Sequence, residues 1–467
     1  MINLYHLRNC HSINDRASAH YDLRLPIITD TRKYESPAVF VAIPGAKVNP
    51  LDLISNILEQ GCPLVLYTKN QTNDEKAKKL EEQYPRTKFL SVKDSVTFLQ
   101  EISHFHVQEW KAKSSKNTIF AISGSNGKTT HKEMLSFILS EVMPDKIVFT
   151  EKNNNNHLGV PLTLLQITDE TEFVVLELGS NHPGEIKVLC DIAGPNAGLT
   201  TNIGATHLEF FGDEKKVFDE EAYLYYAVKE VTKNQGFFLI NIDDPFLATL
   251  EATSACVTYG VNAKAQALVH FLPQGAKIVY QNQELTATNS HITGKHNKLN
   301  LITCLFIATQ FYPSLKDQLI EAASDFRPTK NRSEWIEHQG KAVYLDAYNA
   351  NPSSMKAALL GFKESVLEQG KTLHETCVVL GDMNELGDAA AQYHQGVGAY
   401  VKELGFPHVY FVGRYSAEYL KGFPGGQGRQ SAQEFKQEYR GQCLSQYSIH
   451  FIKGSRSLQL ESLFDIT

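Results

Sequence analysis

The segment Gly124-Ser125-Asn126-Gly127-Lys128-Thr129-Thr130 sets two glycines, an ammonium group and hydroxyls close together. Glycines let backbone N–H groups approach phosphate oxygens, a lysine neutralises phosphate charge, and a threonine hydroxyl can hold Mg²⁺. The ligand this chemistry suits is a nucleoside triphosphate at a helix N-terminus. The general pattern G-x-x-x-x-G-K-[ST] puts its first glycine where this chain has Ile122, so the alternative is an ordinary glycine-rich turn. Context favours phosphate. An apolar strand pattern, Thr118 to Ser123, precedes the loop, and Met134, Leu135, Ile138, Leu139 and Val142 follow it at helical spacing.

Glu177 ends the apolar run beginning at Phe173, at the edge where parallel sheets open their ligand sites, and a carboxylate suits Mg²⁺. A solvated strand-end charge is the competing reading. His207 follows the strand-like Ala197 to Ile203; a lone histidine is more often structural. Asn297 and Asn300 share one face of a helix, although Asn297 could instead cap it. Lys453 and Arg456 follow another strand and would otherwise be surface charges.

These groups need a scaffold, and 467 residues are too many for one core. The expectation is an α/β protein of three domains: a small α/β domain over 1–110, a central parallel-sheet domain over 111–316, and a Rossmann-like domain over 317–467. Strand patterns at Val39 to Ile43 and Pro63 to Tyr67 mark the first, with a charged helix from Asn73 to Gln83. The polar Lys111 to Asn117 reads as a linker. Strands at Thr118, Phe173, Ala197 and Gly236 alternate with helical lengths, which implies a parallel sheet covered on both faces. The alternation restarts at Ala342, Cys377, His408 and Ser448, and Gly422 to Gly428 reads as an exposed loop. Ligands shared by three domains imply hinges near 110 and 317.

A net charge of −7 without a basic run argues against nucleic acid or an anionic membrane as partner. The seven cysteines are scattered, odd in number and never spaced C-x-x-C, which favours reduced thiols in a cytoplasm. Residues 1–6 show no basic-then-apolar export pattern, and no apolar run is long enough to span a membrane.

Taken together, the motifs resemble the Mur ligase family. The resemblance rests on the phosphate loop, Asn155-Asn156-His157-Leu158-Gly159, Glu177-Leu178-Gly179-Ser180-Asn181-His182-Pro183-Gly184, His207-Leu208-Glu209 and Gly294-Lys295-His296-Asn297 with Asn300. It continues through Asp346-Ala347-Tyr348-Asn349-Ala350-Asn351-Pro352, Leu380-Gly381-Asp382-Met383-Asn384-Glu385-Leu386-Gly387 and Lys453-Gly454-Ser455-Arg456-Ser457. It implies ATP-dependent amide ligation through an acyl phosphate, with the branch of the family that joins D-alanyl-D-alanine to a UDP-linked muramoyl tripeptide fitting best. By the same resemblance, ATP is held by Gly124 to Thr130, Asn297, Asn300, Arg332 and Asp346. Mg²⁺ is held by Thr129, Glu177 and His207, and Lys128, His207 and Arg332 serve the reaction. The substrates border Asp30, Thr31, Arg32, Asn155, Asn156, Asn349, Asn351, Lys453 and Arg456, and the protein acts as a monomer.

Three departures stand out. The Asp-Gly-His expected after Phe40 to Gly45 is Asn49-Pro50-Leu51-Asp52 instead, and the glycine before Arg332 is Asn331. The lysine that family members carbamylate for a second Mg²⁺, fourteen residues past the histidine, is Glu221. Glu221, or its neighbour Glu220, is expected to supply that carboxylate directly, against the reading of Asp219-Glu220-Glu221 as a solvated acidic helix face. The departures leave open a related ligase with other substrates, or a nucleotide-binding regulator.

Overall fold

The computed structural model describes residues 10, 12, 25–45 and 47–464. Residues 1–6, read above for an export signal, lie outside the described residues.

Three sheets carry the architecture. The first contains Ile27–Ile28, Val39–Ala42, Leu64–Thr68 and Lys88–Val92 in that order, all parallel. Buried Val39, Val41 and Leu66 face one core and Phe40, Ala42 and Val65 the other, as strand alternation requires. The expected helix runs Gln71–Gln83, begun by Asn70, whose side chain accepts from Asn73 N–H.

A single helix, Ser95–Lys113, crosses from the first sheet to the second. Phe98 and Ile102 pack in the first core, while Val107 and Trp110 belong to the central one. Trp110 Nε1 donates to Thr171 O at 2.8 Å, and Asn117 Nδ2 donates to Trp110 O at 2.7 Å. The segment expected to be a linker therefore starts as the last helical turn, and both ends of the helix are anchored. A position that is polar in sequence is here the solvent face of a continuous helix.

The central sheet has nine strands, ordered Gln283–Thr288, Gly275–Tyr280, Ala267–Leu272, Cys256–Gly260, Phe237–Asn241, Ala197–Thr200, Thr118–Ser123, Phe173–Glu177 and Ile147–Phe149. Phe120 and Ile122 of the middle strand join Met134, Leu135, Ile138 and Leu139 of helix Lys128–Val142; Ile119 and Ala121 join Val160 and Leu189 on the opposite face. The predicted strands at 118, 173, 197 and 237 are present and parallel. The antiparallel extension from 267 to 288 is an addition to the expected parallel sheet.

Helix Lys316–Asp325 begins at the expected start of the third domain, yet its Leu319, Ala322 and Ala323 complete the central core. The third sheet starts at Glu334. Its order is Glu334–His338, Lys341–Asp346, Ile449–Lys453, Thr376–Gly381, Val409–Val412 and Gln427–Arg429, with only the first pair antiparallel. The end of the expected loop at Gly422 to Gly428 forms the edge strand. Among the described residues no helix is long and apolar enough to cross a membrane.

Candidate active site between the central and third domains

Strand Thr118–Ser123 ends in the sharp turn at Gly124, which has φ +119°. A Cβ there would stand 2.2 Å from Thr201 Oγ1, so only glycine fits. Gly127, at φ +80°, delivers the chain into helix Lys128–Val142, whose free N–H groups face a cavity of about 600 Å³. Ser125 to Thr130 line that cavity, as do Asn155, Asn156, Glu177, His207, Asn297, Asn300, Arg332, Asp346, Asn349, Asn351 and Lys453. Segments from over three hundred residues of chain thus meet in one chamber.

Glu177 is buried. Its Oε1 accepts from Thr129 Oγ1 and from Asn155 Nδ2, each at 2.9 Å, while its Oε2 is buried with no hydrogen-bond partner. An orphaned carboxylate oxygen beside a threonine hydroxyl fits a hard cation. No cluster of three or more His, Cys, Asp or Glu side chains able to cage a metal occurs among the described residues. The donor set therefore fits Mg²⁺ shared with phosphate oxygens and water.

The pair Asn297 and Asn300 is on helix Lys295–Phe311, capped at Gly294, not at Asn297. Asn297 sits in the first turn and donates through Nδ2 to Thr293 O at 3.2 Å. His296, missed in the sequence, lines the same wall; burial lowers its pKa and favours the neutral ring.

From the third domain, Arg332 stacks on Tyr348, with its guanidinium carbon 3.8 Å from the ring centroid. Asn331 takes φ +64°, a left-handed conformation that asparagine tolerates better than most residues, so it can stand where glycine was expected. Lys453 Nζ donates to Asp346 Oδ2 at 2.6 Å and to Asn349 O at 2.9 Å, a buried pair at the cavity wall. Asn351 caps helix Pro352–Glu368 by accepting from Ser354 N–H, and its Nδ2 donates 2.6 Å to Asn126 Oδ1 on the phosphate loop. Asn126 Nδ2 answers by donating to Ser353 Oγ at 2.9 Å.

His207 adopts φ +51° and brings Nδ1 to 2.6 Å from Glu385 Oε2 of the third domain. That contact holds the Glu385 carboxyl below its usual range. The motif Leu380 to Gly387 contained Glu385, but a pairing between positions so far apart in the chain leaves no spacing signal.

Some expected groups lie elsewhere. Arg456 pairs with Glu461 in a half-exposed position and does not line the cavity. Asp30 and Arg32 form a bidentate pair on the first domain, which holds the Asp30 carboxyl at about 2. They do not border the separate cavity of about 470 Å³ between Pro44, Asn49 to Leu51 and Asn70 to Asn73. Glu220, the alternative second-metal carboxylate, accepts from Ser180 Oγ and from Gly184 and Ile186 N–H groups, so both oxygens are occupied at the start of helix Glu185–Ala193. Glu221 is buried and does not line the cavity.

The Mur ligase middle domain matches residues 122–308, and the Mur ligase glutamate ligase domain matches 331–447. A UDP-N-acetylmuramoyl-tripeptide–D-alanyl-D-alanine ligase of Haemophilus influenzae is 32% identical over 84% of this chain and 81% of its own. The chain belongs to the Mur ligase family. This Mur ligase is also 30% identical to the enzyme of the same name from Rickettsia prowazekii, over 91% of both chains. Its fold superposes on a crystal structure of MurF from Acinetobacter baumannii with a TM-score of 0.82, at 24% identity over 99% of this chain and 97% of that one.

Proposed function

We propose that this Mur ligase joins D-alanyl-D-alanine to a UDP-N-acetylmuramoyl-tripeptide with hydrolysis of ATP to ADP and phosphate, in peptidoglycan precursor synthesis. The observation that carries this reading is the single chamber in which the phosphate loop and Glu177 face Asp346, Arg332 and Lys453. Phosphoryl donor, carboxylate and amine need to meet in one place for an acyl phosphate to form and be trapped before water reaches it.

In this assignment the tripeptide carboxylate attacks the γ-phosphorus and ADP departs; the dipeptide amine then attacks the acyl carbon, loses a proton and expels phosphate. Thr129 and Glu177 would hold Mg²⁺, which when bound neutralises phosphate charge. Lys128 and the helix N-terminus bind the β- and γ-phosphates, Asn297 and Asn300 face the adenine, and Asp346 the ribose. Arg332, held flat by Tyr348, presents its guanidinium to phosphate oxygens. Asn349 and Lys453 border the incoming dipeptide, while Asn155 and Asn156 border the acceptor peptide. The UDP group is assigned to the first domain.

The test is ADP release on mixing the protein, ATP and Mg²⁺ with a UDP-muramoyl tripeptide, with D-alanyl-D-alanine, or with both. ADP release that needs both, with a product heavier by the dipeptide, is the expected result. Nucleotide binding without substrate-dependent release would instead mark a regulator.

A further inference from the structure

Glu221 ends helix Glu214–Glu221 with its carboxylate sealed from solvent. Its Oε2 accepts from Gly124 N–H at 2.7 Å, and its main-chain carbonyl accepts from Ser123 Oγ at 2.8 Å. Both parts of one residue therefore grip the point where the strand turns into the phosphate loop. Its Oε1 lies 3.9 Å from Lys128 Nζ, which in turn donates to Gly124 O. The N–H of Gly124 meets the carboxylate and its carbonyl meets the ammonium. Peptide, carboxylate and lysine close a ring behind the loop.

This geometry does not fit a second-metal ligand. Lys128 and His207 line the chamber and Glu221 does not. A cation at Glu221 would either displace the Gly124 N–H from Oε2 or sit at Oε1 against the Lys128 ammonium. Burial raises the Glu221 pKa, and Lys128 followed by the Gly124 N–H opposes that shift, so the lysine favours the charged carboxylate.

We propose that Glu221 is a positioning residue of the phosphate loop: it fixes the Gly124 turn and holds Lys128 beside the nucleotide site, and it ligates no metal. The loop is thereby preorganised, and Lys128 need move only a short way from carboxylate to phosphate. A consequence is that this chain needs no carbon dioxide for activity. The proposal bears on nucleotide binding, so it can be tested whether or not the assigned substrates are right.

The experiment measures ATP affinity by calorimetry for wild type, Glu221→Gln, Lys128→Met and the double variant, beside the Mg²⁺ dependence of any substrate-driven ADP release. Glu221→Gln should weaken ATP about tenfold and leave the Mg²⁺ midpoint unchanged, and the two substitutions should be strongly non-additive. Glu221→Asp should recover part of the affinity. Additive effects, or an unchanged ATP affinity with a raised Mg²⁺ midpoint, would overturn the proposal. Two measurements on the unaltered protein serve even where a variant fails to fold. Added bicarbonate in CO₂-depleted buffer should not raise the rate, and stimulation overturns the proposal. Mn²⁺ counted by paramagnetic resonance with a non-hydrolysable ATP analogue should give one tight ion per chain, and a second tight ion overturns it.

Discussion

Lys453 and Arg456 looked alike in sequence, two cations just past a strand, and the fold separates them by burial. Lys453 is buried against Asp346 and Asn349; Arg456 leans outward onto Glu461. Removing one member of a buried pair leaves an uncompensated charge, whereas an exposed pair is screened. Lys453→Met should therefore lower kcat/KM for the dipeptide by about thirtyfold or more and destabilise the third domain by roughly 3 kcal/mol. Arg456→Met should stay within about twofold. Steady-state kinetics and denaturant unfolding of the two variants check the contrast; equal effects would mean that burial does not separate their roles. Residue identity was legible in the motifs for the phosphate loop, Asn297, Asn300 and Lys453. Partnership was not: Glu385 against His207 and Tyr348 beneath Arg332 depend on which surfaces meet, and no local pattern encodes that.

At the scale of elements, the strands that sequence showed best are those buried on both faces, such as Thr118–Ser123 and Phe173–Glu177, because continuous apolar runs are conspicuous. The hairpin from 275 to 288 was missed for the opposite reason. Its strand Gln283–Thr288 buries only Leu285 and Ala287, and its turn uses Gln281 and Asn282 at positive φ with no glycine to announce it. Strand Ile449–Lys453, which aims Lys453, carries a further buried group. His450 Nδ1 faces Tyr439 Oη at 2.8 Å and Nε2 faces Tyr447 O at 3.2 Å, an arrangement satisfied by a neutral ring with its proton on Nε2. Burial lowers its pKa to about 4 from the ordinary 6.5. The unfolded chain then binds more protons between these two values, so stability falls as pH drops from about 6.5 to 4 and is unaffected by this group above that window. The loss attributable to His450 should approach about 3 kcal/mol at the acid end. His450→Asn, less stable at neutral pH, should show a flatter acid limb in urea unfolding from pH 7 to 4. A limb as steep as wild type would remove His450 as its source.

Across the whole molecule, the crossing points of the chain are built as rigid parts. Helix Ser95–Lys113 is shared between two cores, and helix Lys316–Asp325 stays with the central sheet, so motion of the third domain must arise between Phe326 and Glu334. The third domain is held over the chamber by an apolar seam, where Ala205, Leu208, Phe211 and Val217 join the core of Met355, Leu386 and Ala390, and by polar links around it: His207 to Glu385, Asn126 to Asn351 and Ser353, Lys295 to Glu364 at 2.7 Å, and Glu209 N–H donating to Glu385 O at 3.2 Å. Polar links of this kind exchange readily with water, which suits a site that must admit three substrates and release three products. Glu385 supplies two of them, one through its side chain and one through its carbonyl. Glu385→Ala removes the carboxylate contact with His207 and keeps the carbonyl, so the third domain should dock less firmly without unfolding. Small-angle scattering of the nucleotide-free variant should show a radius of gyration larger than that of wild type, with ATP analogue and Mg²⁺ narrowing the difference as the chamber closes. KM for both non-nucleotide substrates should rise several-fold while the melting temperature stays within about 2 °C, because the Glu385 side chain is half-exposed at the rim of the seam between the domains. An unchanged radius with raised KM would assign Glu385 to orienting His207 alone, and docking of the third domain would then rest on the apolar seam and the Asn126–Asn351 and Lys295–Glu364 links.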